Sequence, residues 1–501
     1  MTSVVEGDVA VVGSGVVGAL VARPLLDAGL RVVMLERGGR RSHAERLRDP
    51  AWGDGSPGAQ WNHEAVDGWG AWDPYPWNYV YELGGSTLRW SGVAPRLAEG
   101  DFQMRSRYGV MADWPLSYEE LTPAFERAEA ALGVAGGPGA AATQPAHPFS
   151  PLDRVVAPLL DPYLPMPQTR PSRPDGQRPA CCGAGPCEVC PVDAKATTVN
   201  VLGDVLAHPL LELRTSTAAA RVVREPGGRA GAIEALSVNG SGIEPLTVRA
   251  ARFVLAAGGF ENPALLLRSG IERPGTGEYL FDHGHRTLHV VVRDPVGVGR
   301  GATIATGLSA AWLEGDFRSE RSGAVVSPYN PGVALGDAVA EALVDGRRGA
   351  AVHREVVDRW ARTIPLDVLL EDVPQRARRI ELSSAKDALG LPRIRVHYGP
   401  STAYEVDGWR AIRREIEQRL APLHPTHVEE RRGPAGSHLL GTCRMATAGH
   451  DGVVDRDMRH LDVENLWVAG GSAFPTYGSL HPTLTIAALA VRLGDQLAAG
   501  A

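Results

Sequence analysis

The chain has 501 residues, of which 44% are hydrophobic and 22% charged, and its formal net charge is −7 at pH 7. This composition is that of a folded globular protein with enough chain for two or more domains, so it excludes a disordered or collagen-like protein. The acidic balance also excludes the strongly basic surface that nucleic-acid binding requires, and we expect no nucleic-acid partner.

The first segment of the chain predicts a strand, a tight turn, a helix and a second strand. Residues 8–12 form a short β-branched run typical of a buried parallel strand, and the glycine-rich residues 13–18 follow it directly. Residues 19–26 continue as a helix, residues 31–35 form the next apolar run, and Glu36 stands at its end. This order is that of a unit that binds an adenine dinucleotide.

Each polar or glycine position of this unit has a physical task. Gly13 would permit the turn, Gly15 would let the backbone approach a pyrophosphate, and Gly18 would let the helix lie close to the strand. The free N–H groups at the helix N-terminus would bind the phosphates. Glu36 would accept hydrogen bonds from a ribose diol. The chain offers one such fingerprint, which disfavours a nicotinamide-dependent reductase because that enzyme needs a second dinucleotide site.

Neither a membrane span nor an export signal is predicted. The longest apolar run, residues 9–22, contains glycines and is shorter than the ~20 residues that cross a bilayer. The residues before it carry no basic segment, twin arginine or cleavage site. We therefore expect a cytoplasmic protein with no membrane partner.

Three later segments contain the small residues that would let backbone approach a flat ring. The first, residues 81–92, includes Gly84-Gly85-Ser86-Thr87, and the second, residues 256–270, leads from a strand through Gly258 into a helix. The third carries His438-Leu439-Leu440-Gly441-Thr442, then Gly470-Gly471-Ser472, then His481-Pro482-Thr483.

These motifs, in this order, resemble the glucose-methanol-choline (GMC) oxidoreductase family. Residues 108–118 and the segment around Cys181 are similar to the sugar-oxidising branch of the family. That branch includes pyranose oxidases, bacterial glycoside 3-oxidases and the catalytic subunits of FAD-dependent gluconate and glucose dehydrogenases.

The resemblance implies an α/β fold, with a Rossmann-type FAD-binding domain and an α+β substrate domain built on an antiparallel sheet. We expect the strands of that sheet within residues 286–398, with pieces at 287–292 and 394–398, and a tryptophan-rich cover at residues 46–74. The FAD-binding domain would be discontinuous, comprising approximately residues 1–45, 75–105, 180–275 and 435–501. The substrate domain would comprise approximately residues 106–179 and 276–434.

The resemblance also implies which residues contact FAD. They are Gly13, Gly15, Gly18, Glu36, Gly84, Gly85, Ser86, Thr87, Gly258, Gly471, Ser472, Pro482 and Thr483. In pyranose oxidases a histidine in the glycine-serine loop, just before a tryptophan, carries the flavin covalently. The residue before Trp90 in this chain is Arg89, so we expect FAD to bind non-covalently.

His438 and His481 are the predicted catalytic pair. Oxidation of an alcohol removes a proton from oxygen and a hydride from carbon, so the protein must supply a base while flavin N5 accepts the hydride. The resemblance places both histidines over the flavin, one as the base and the other orienting the hydroxyl, and His438 is favoured as the base. The remaining histidines, including His283, His285, His450 and His460, are expected at the surface or behind the site, with His283 and His285 within reach of the cleft as the alternative.

Four of the five cysteines, Cys181, Cys182, Cys187 and Cys190, are clustered. The segment is similar to the one that holds an iron–sulfur cluster in FAD-dependent glucose and gluconate dehydrogenases, and thiolates suit such a cluster. The spacing of the last two cysteines departs from that of the family. Two interpretations therefore stay open, an iron–sulfur cluster or a buried turn whose cysteines pack, and no metal site is assigned.

We therefore expect an FAD-dependent enzyme that oxidises a secondary hydroxyl of a pyranose sugar or glycoside, at C2 or C3, to a keto-sugar. Reduced flavin would be reoxidised by O₂ or a quinone. Two alternatives stay open: an FAD and iron–sulfur dehydrogenase that passes electrons to a carrier, and a flavin-binding module without turnover. The identity of the sugar, the acceptor and the oligomeric state depend on pocket and surface shape, which the sequence does not give.

Overall fold

The computed structural model describes residues 3–48, 79–137, 144–183, 189–296, 304–330, 335–432, 437–449 and 451–500. Most of the expected tryptophan-rich cover at residues 46–74 lies outside these ranges.

The strands are β1 Ser3–Glu6, β2 Val9–Val12, β3 Val32–Leu35, β4 Tyr163–Pro165, β5 Leu211–Arg214, β6 Thr217–Arg224, β7 Ala230–Asn239, β8 Gly242–Arg249, β9 Arg252–Leu255, β10 Gly284–Val292, β11 Gly307–Ser309, β12 Ala324–Pro328, β13 Thr363–Leu370, β14 Arg379–Lys386, β15 Pro392–His397, β16 Pro425–Arg432 and β17 Leu466–Val468. The α-helices are α1 Val16–Asp27, α2 His43–Arg48, α3 Met104–Tyr108, α4 Tyr118–Leu132, α5 Pro151–Val156, α6 Thr198–Val201, α7 Gly203–Leu206, α8 Gly258–Arg268, α9 Leu335–Val344, α10 Ala350–Ala361, α11 Ala403–Leu420 and α12 Thr483–Ala499. No helix in the described part of the chain is long and apolar enough to cross a membrane.

A five-stranded parallel sheet, in the order β17-β9-β2-β3-β5, forms the base of the dinucleotide unit. Every residue of β2 and β3 is buried, as expected for parallel strands covered on both faces. These two strands and α1 confirm the strand, helix and strand predicted near the N-terminus. Helix α1 packs against α12, so the two ends of the chain meet on this sheet.

A six-stranded sheet, in the order β16-β10-β13-β12-β11-β4, provides the second layer that bounds the site. All its pairings are antiparallel, which confirms the expected antiparallel sheet. Strand β10 contains the predicted piece at residues 287–292. Strands β4 and β16 join the sheet from outside residues 286–398, because a strand at either edge can be recruited from any part of the chain.

The strand predicted at residues 394–398 was assigned to the wrong sheet. The structure places it in β15, which pairs with β14 in a separate two-stranded hairpin. The physical reason is the apolar face of the hairpin: Ile394 and Val396 are buried in a cluster with Phe260 and Ala264 of α8. The hairpin therefore covers that helix instead of extending the antiparallel sheet.

A third sheet, in the order β1-β8-β7-β6, is a meander of three antiparallel strands with β1 added in parallel. The fold is thus mixed α/β, as predicted.

Candidate active site

A cavity of about 480 Å³ extends from the carboxyl ends of β2 and β3 to one face of the antiparallel sheet. This size lies within the ~300–1,000 Å³ typical of cofactor and ligand pockets. Both predicted catalytic histidines, His438 and His481, line it. Most of the predicted FAD residues also line it, namely Gly13, Gly15, Glu36, Gly85, Ser86, Thr87, Gly258, Gly471, Pro482 and Thr483.

The three glycines of the N-terminal fingerprint have distinct surroundings. A Cβ on Gly13, whose φ is +105°, would lie 2.5 Å from the carbonyl oxygen of Ala256, and a Cβ on Gly18 would lie 2.0 Å from that of Gly13. Both positions are therefore closed to any side chain. A Cβ on Gly15 would have the Cα of Gly85 as its nearest neighbour, at 4.0 Å. Gly15 therefore turns open backbone toward the cavity at the N-terminus of α1, which suits an approaching phosphate.

Glu36 is held at the cavity wall by three hydrogen bonds. Its carboxylate accepts from the Ser14 amide at 3.1 Å, the Ser14 hydroxyl at 2.6 Å and the Gly38 amide at 2.8 Å. Burial raises the pKa of Glu36, and the bonds from Ser14 and Gly38 oppose that rise. Each carboxylate oxygen can accept more than one hydrogen bond, so Glu36 retains acceptor capacity toward a ligand in the cavity.

Three of the predicted FAD residues, Gly18, Gly84 and Ser472, do not line the cavity. The Gly84 amide donates a hydrogen bond to the Ser14 hydroxyl at 3.2 Å. The Ser472 hydroxyl accepts from the side-chain amide of Asn262 at 3.0 Å. Gly84 and Ser472 therefore lie behind their neighbours Gly85 and Gly471, which line the cavity, and Gly18 lies within helix α1.

The structure brings His438 and His481 together. Their ring centroids lie 5.5 Å apart and the ring planes cross at 81°. Burial, followed by the charges of the neighbouring imidazoles, lowers the pKa of His438 well below its usual range. Burial lowers the pKa of His481 to about 4, although Asp367 opposes that fall. Both rings are therefore neutral at neutral pH, and the Nδ1 of His481 is buried with no hydrogen-bond partner in the described residues.

His283 is a third member of this cluster, so the structure supports the alternative that it lies within reach of the cleft. It is 3% exposed, lines the cavity, and stacks on the Tyr477 ring at a centroid distance of 4.7 Å. Its Nδ1 lies 3.0 Å from the Nδ1 of His438. A hydrogen bond between these two nitrogens requires one to carry the proton and the other to accept it. The contact therefore couples the tautomer of His438 to that of His283: when one Nδ1 carries the proton, the other must be the acceptor.

Asp282 holds the backbones of both neighbouring histidines. Its Oδ1 accepts from the His283 amide at 2.7 Å and from the His438 amide at 3.2 Å. Asp282 is 1% exposed and lines the cavity. One carboxylate thus fixes two chain segments that are distant in sequence, a connection that local patterns do not reveal.

His285 also lines the cavity, where its Nε2 bonds Oδ1 of Asp367. The alternation of His283 and His285 at the start of β10 is the signal that could have placed both rings on one face. Asp367 was missed because it stands inside an apolar strand with no motif around it. His460 is buried at 2% exposure, contrary to the surface alternative, and His450 lies outside the described residues.

The cysteine segment gains no support as a metal site. Within the described ranges, no group of three or more His, Cys, Asp or Glu side chains is arranged to hold a metal ion. Cys187 lies outside those ranges. The Sγ of Cys190 accepts a hydrogen bond from the Ala194 amide at 3.2 Å, a packing role within the turn.

Comparison with known proteins finds matching family models, similar sequences and a solved structure with the same fold. Family models described as GMC oxidoreductase match residues 164–285 and 374–490. The 6'''-hydroxyparomomycin C oxidase of Streptomyces lividus is 30% identical, over 98% of this chain and 91% of that protein. The fructose dehydrogenase large subunit of Gluconobacter japonicus is 28% identical, over 98% of each chain. The crystal structure of pyridoxine 4-oxidase from Mesorbium loti shares the fold, with a TM-score of 0.66 at 19% identity over 98% of each chain.

Proposed function

The chain belongs to the GMC oxidoreductase family, and on this premise we propose that it oxidises a secondary hydroxyl of a pyranose sugar or glycoside, at C2 or C3, with FAD as its cofactor. The observation that carries this proposal is one cavity lined both by the dinucleotide fingerprint and by the adjacent rings of His438 and His481. Two relatives matched over more than nine-tenths of their length are named 6'''-hydroxyparomomycin C oxidase and fructose dehydrogenase large subunit, and the second name supports a sugar hydroxyl as the target.

The lining residues fit FAD. The dinucleotide would lie against the open backbone of Gly15 and the N-terminus of α1, with its ribose at Glu36. The flavin would lie against Gly85, with its reactive edge near His438 and His481. A side chain at Gly85 would narrow this cradle, because its Cβ would lie 3.1 Å from the Cα of Gly15. When bound, FAD supplies the acceptor for the hydride that leaves the carbinol carbon.

The histidines would manage the proton. With a proton on its Nδ1, His438 donates to the Nδ1 of His283, and its Nε2 lone pair is then free to accept the hydroxyl proton. His481 would hold the same oxygen in place by a hydrogen bond. Burial keeps both rings neutral before the reaction, as a base and a neutral donor require.

We expect O₂ or a quinone to reoxidise the flavin, and a sugar or glycoside to be the partner in the other half-reaction. The two rivals predict different results. A dehydrogenase that passes electrons to a carrier would show a high dye-linked rate with negligible H₂O₂. A flavin-binding module without turnover would keep its flavin oxidised with every sugar.

The test is anaerobic titration of the purified flavoprotein with a panel of monosaccharides, methyl glycosides and plant C- and O-glycosides. We expect at least one member to bleach the flavin, and NMR of the product to show a ketone at C2 or C3. Oxidation at C6 would contradict the secondary-hydroxyl assignment. A flavin that dithionite reduces but no panel member reduces would contradict the proposed function itself.

A further inference from the structure

The antiparallel sheet turns one face to the core and the other to the cavity. In β13, Ile364, Leu366, Val368 and Leu370 are buried in an apolar cluster shared with alternate residues of β10 and β12. Because side chains alternate along a strand, Asp367 points to the opposite face. It lines the cavity there, in β13, one of the two central strands of the sheet.

The register places further polar groups beside Asp367. Ser327 of β12 lies directly opposite it. Ser327, Tyr329 and His481 line a small recess off the main cavity, and Asp367 lines both spaces. A carboxylate and a predicted catalytic imidazole thus share one wall of this recess.

The Asp367 carboxylate is held through one of its oxygens, and its other oxygen can still accept a hydrogen bond. Its Oδ1 bonds the Nε2 of His285, and the side chain is 15% exposed. No described residue donates a hydrogen bond to its Oδ2. Its charge opposes the fall in the pKa of His481, and with burial it raises the pKa of Tyr329 to about 12. A carboxylate can accept several hydrogen bonds, so Oδ2 retains the capacity to accept one from a donor on a ligand in the cavity.

We propose that Asp367 determines substrate specificity: its Oδ2 accepts a hydrogen bond from a donor group of the substrate other than the hydroxyl that is oxidised. The donor is a second hydroxyl of a neutral sugar or the ammonium group of an amino sugar. His285 orients the carboxylate for this contact. This inference rests on the proposed oxidation of a sugar and adds the group by which the sugar is selected.

The test compares Asp367→Asn and Asp367→Ser with the wild-type holoenzyme in anaerobic flavin reduction. The probes are D-glucose, its 2-deoxy, 3-deoxy and 4-deoxy analogues, and D-glucosamine, together with any sugar that proves faster and its own deoxy analogues. Glu381→Gln is the matched control, because Glu381 also pairs with an imidazole, that of His397 at 2.8 Å, on the hairpin outside the cavity.

We expect the wild-type flavin to be reduced ~100-fold or more slowly by the analogue that lacks the recognised donor. A site that hydrogen-bonds a donor discriminates strongly against a substrate without it. Asp367→Asn should slow the complete sugar by ~10–100-fold and the deficient analogue by less than ~3-fold. A larger loss for D-glucosamine than for D-glucose would identify the donor as ammonium, and the reverse would identify a hydroxyl. The control should match the wild type.

If Asp367→Asn slows flavin reduction equally for the sugar with the recognised donor and for the analogue without it, the inference is overturned and the proposed function stays intact. Loss of FAD by both variants would assign Asp367 a structural role and would also overturn it. If no sugar reduces the wild-type flavin while dithionite does, the proposed function fails first, and the inference fails with it.

Discussion

At the scale of single residues, the chemistry of the site depends on a cluster of buried imidazoles. His283, His438 and His481 lie within 6.4 Å of one another by ring centroid. Burial lowers the pKa of each, and the charge of at least one neighbouring imidazole lowers each of the three further. The cluster is therefore built to start neutral and to accept one proton.

The tautomer of His438 is the first point to test. His283→Phe keeps an aromatic ring against Tyr477 but removes the nitrogen that pairs with His438 Nδ1. We expect FAD to remain bound and the rate of flavin reduction to fall by ~10–100-fold, because the base is no longer held in one tautomer. The acid limb of the pH profile should also move.

His283→Asn, whose amide oxygen can accept the same hydrogen bond, should recover part of the rate. His397→Gln, in β15 and outside the cavity, should behave as the wild type. Equal loss in the Phe and Asn variants, with an unchanged pH profile, would show that His283 only packs.

The low histidine pKa values also predict how activity depends on pH. The base must be neutral, so activity is lost only as pH falls through its folded-state pKa. Since the pKa of His438 lies well below 6.5 and that of His481 is about 4, kcat/KM should stay constant from pH 8 to below 6.5. A pH–rate profile with its acid limb at or above 6.5 would contradict this assignment.

At the scale of secondary-structure elements, the sequence predicted the strands and helices whose residues form a clear local pattern of apolar residues. The apolar runs at residues 8–12 and 31–35 are β2 and β3, and the helix between them is α1. The motifs that carry His438 and His481 predicted a pair because the family resemblance supplied the long-range contact. Asp367 has no such motif, and the apolar alternation of β15 is equally compatible with a large sheet or with a hairpin on a helix.

The fingerprint turn can be tested by adding one methyl group. A Cβ at Gly18 would lie 2.0 Å from the backbone oxygen of Gly13, which cannot move without opening the turn. We expect Gly18→Ala to lower stability by ~1–3 kcal/mol and to reduce the FAD content of the purified protein. Thermal unfolding and the flavin-to-protein absorbance ratio measure both effects.

Gly203→Ala is the control, because a Cβ there has no atom within 4 Å and the residue begins α7. It should leave stability and FAD content unchanged or slightly raised. A Gly18→Ala protein as stable and as yellow as the wild type would show that helix α1 does not need this close approach.

At the scale of the whole molecule, two ends of the chain and several interior loops converge on one cavity. Strands β2, β9 and β17 pair side by side although they begin near residues 9, 252 and 466. The solved neighbour has this fold over 98% of its chain. The domain boundaries expected from the sequence stay a prediction, because both sheets contribute to the same cavity and the division between them is not local.

The mode of FAD attachment is a property of the complete holoenzyme. Arg89 stands before Trp90 and lines the cavity, and a guanidinium does not form the flavin bond that a histidine forms in pyranose oxidases. We therefore expect acid denaturation to release all the yellow colour into the supernatant. Colour that stays in the pellet would show a covalent link.

The most direct measurement is the anaerobic reduction of bound flavin by the best panel sugar in wild type, His438→Ala and His481→Ala. Each variant should bind FAD, be reduced by dithionite, and lose at least ~100-fold in the sugar-driven rate, since a positioned base contributes ~10²–10⁴-fold. Removal of both rings should cost little more than removal of one, because residues that act as a unit are not additive. Wild-type reduction rates in either variant would contradict the assignment of these two rings to the chemistry.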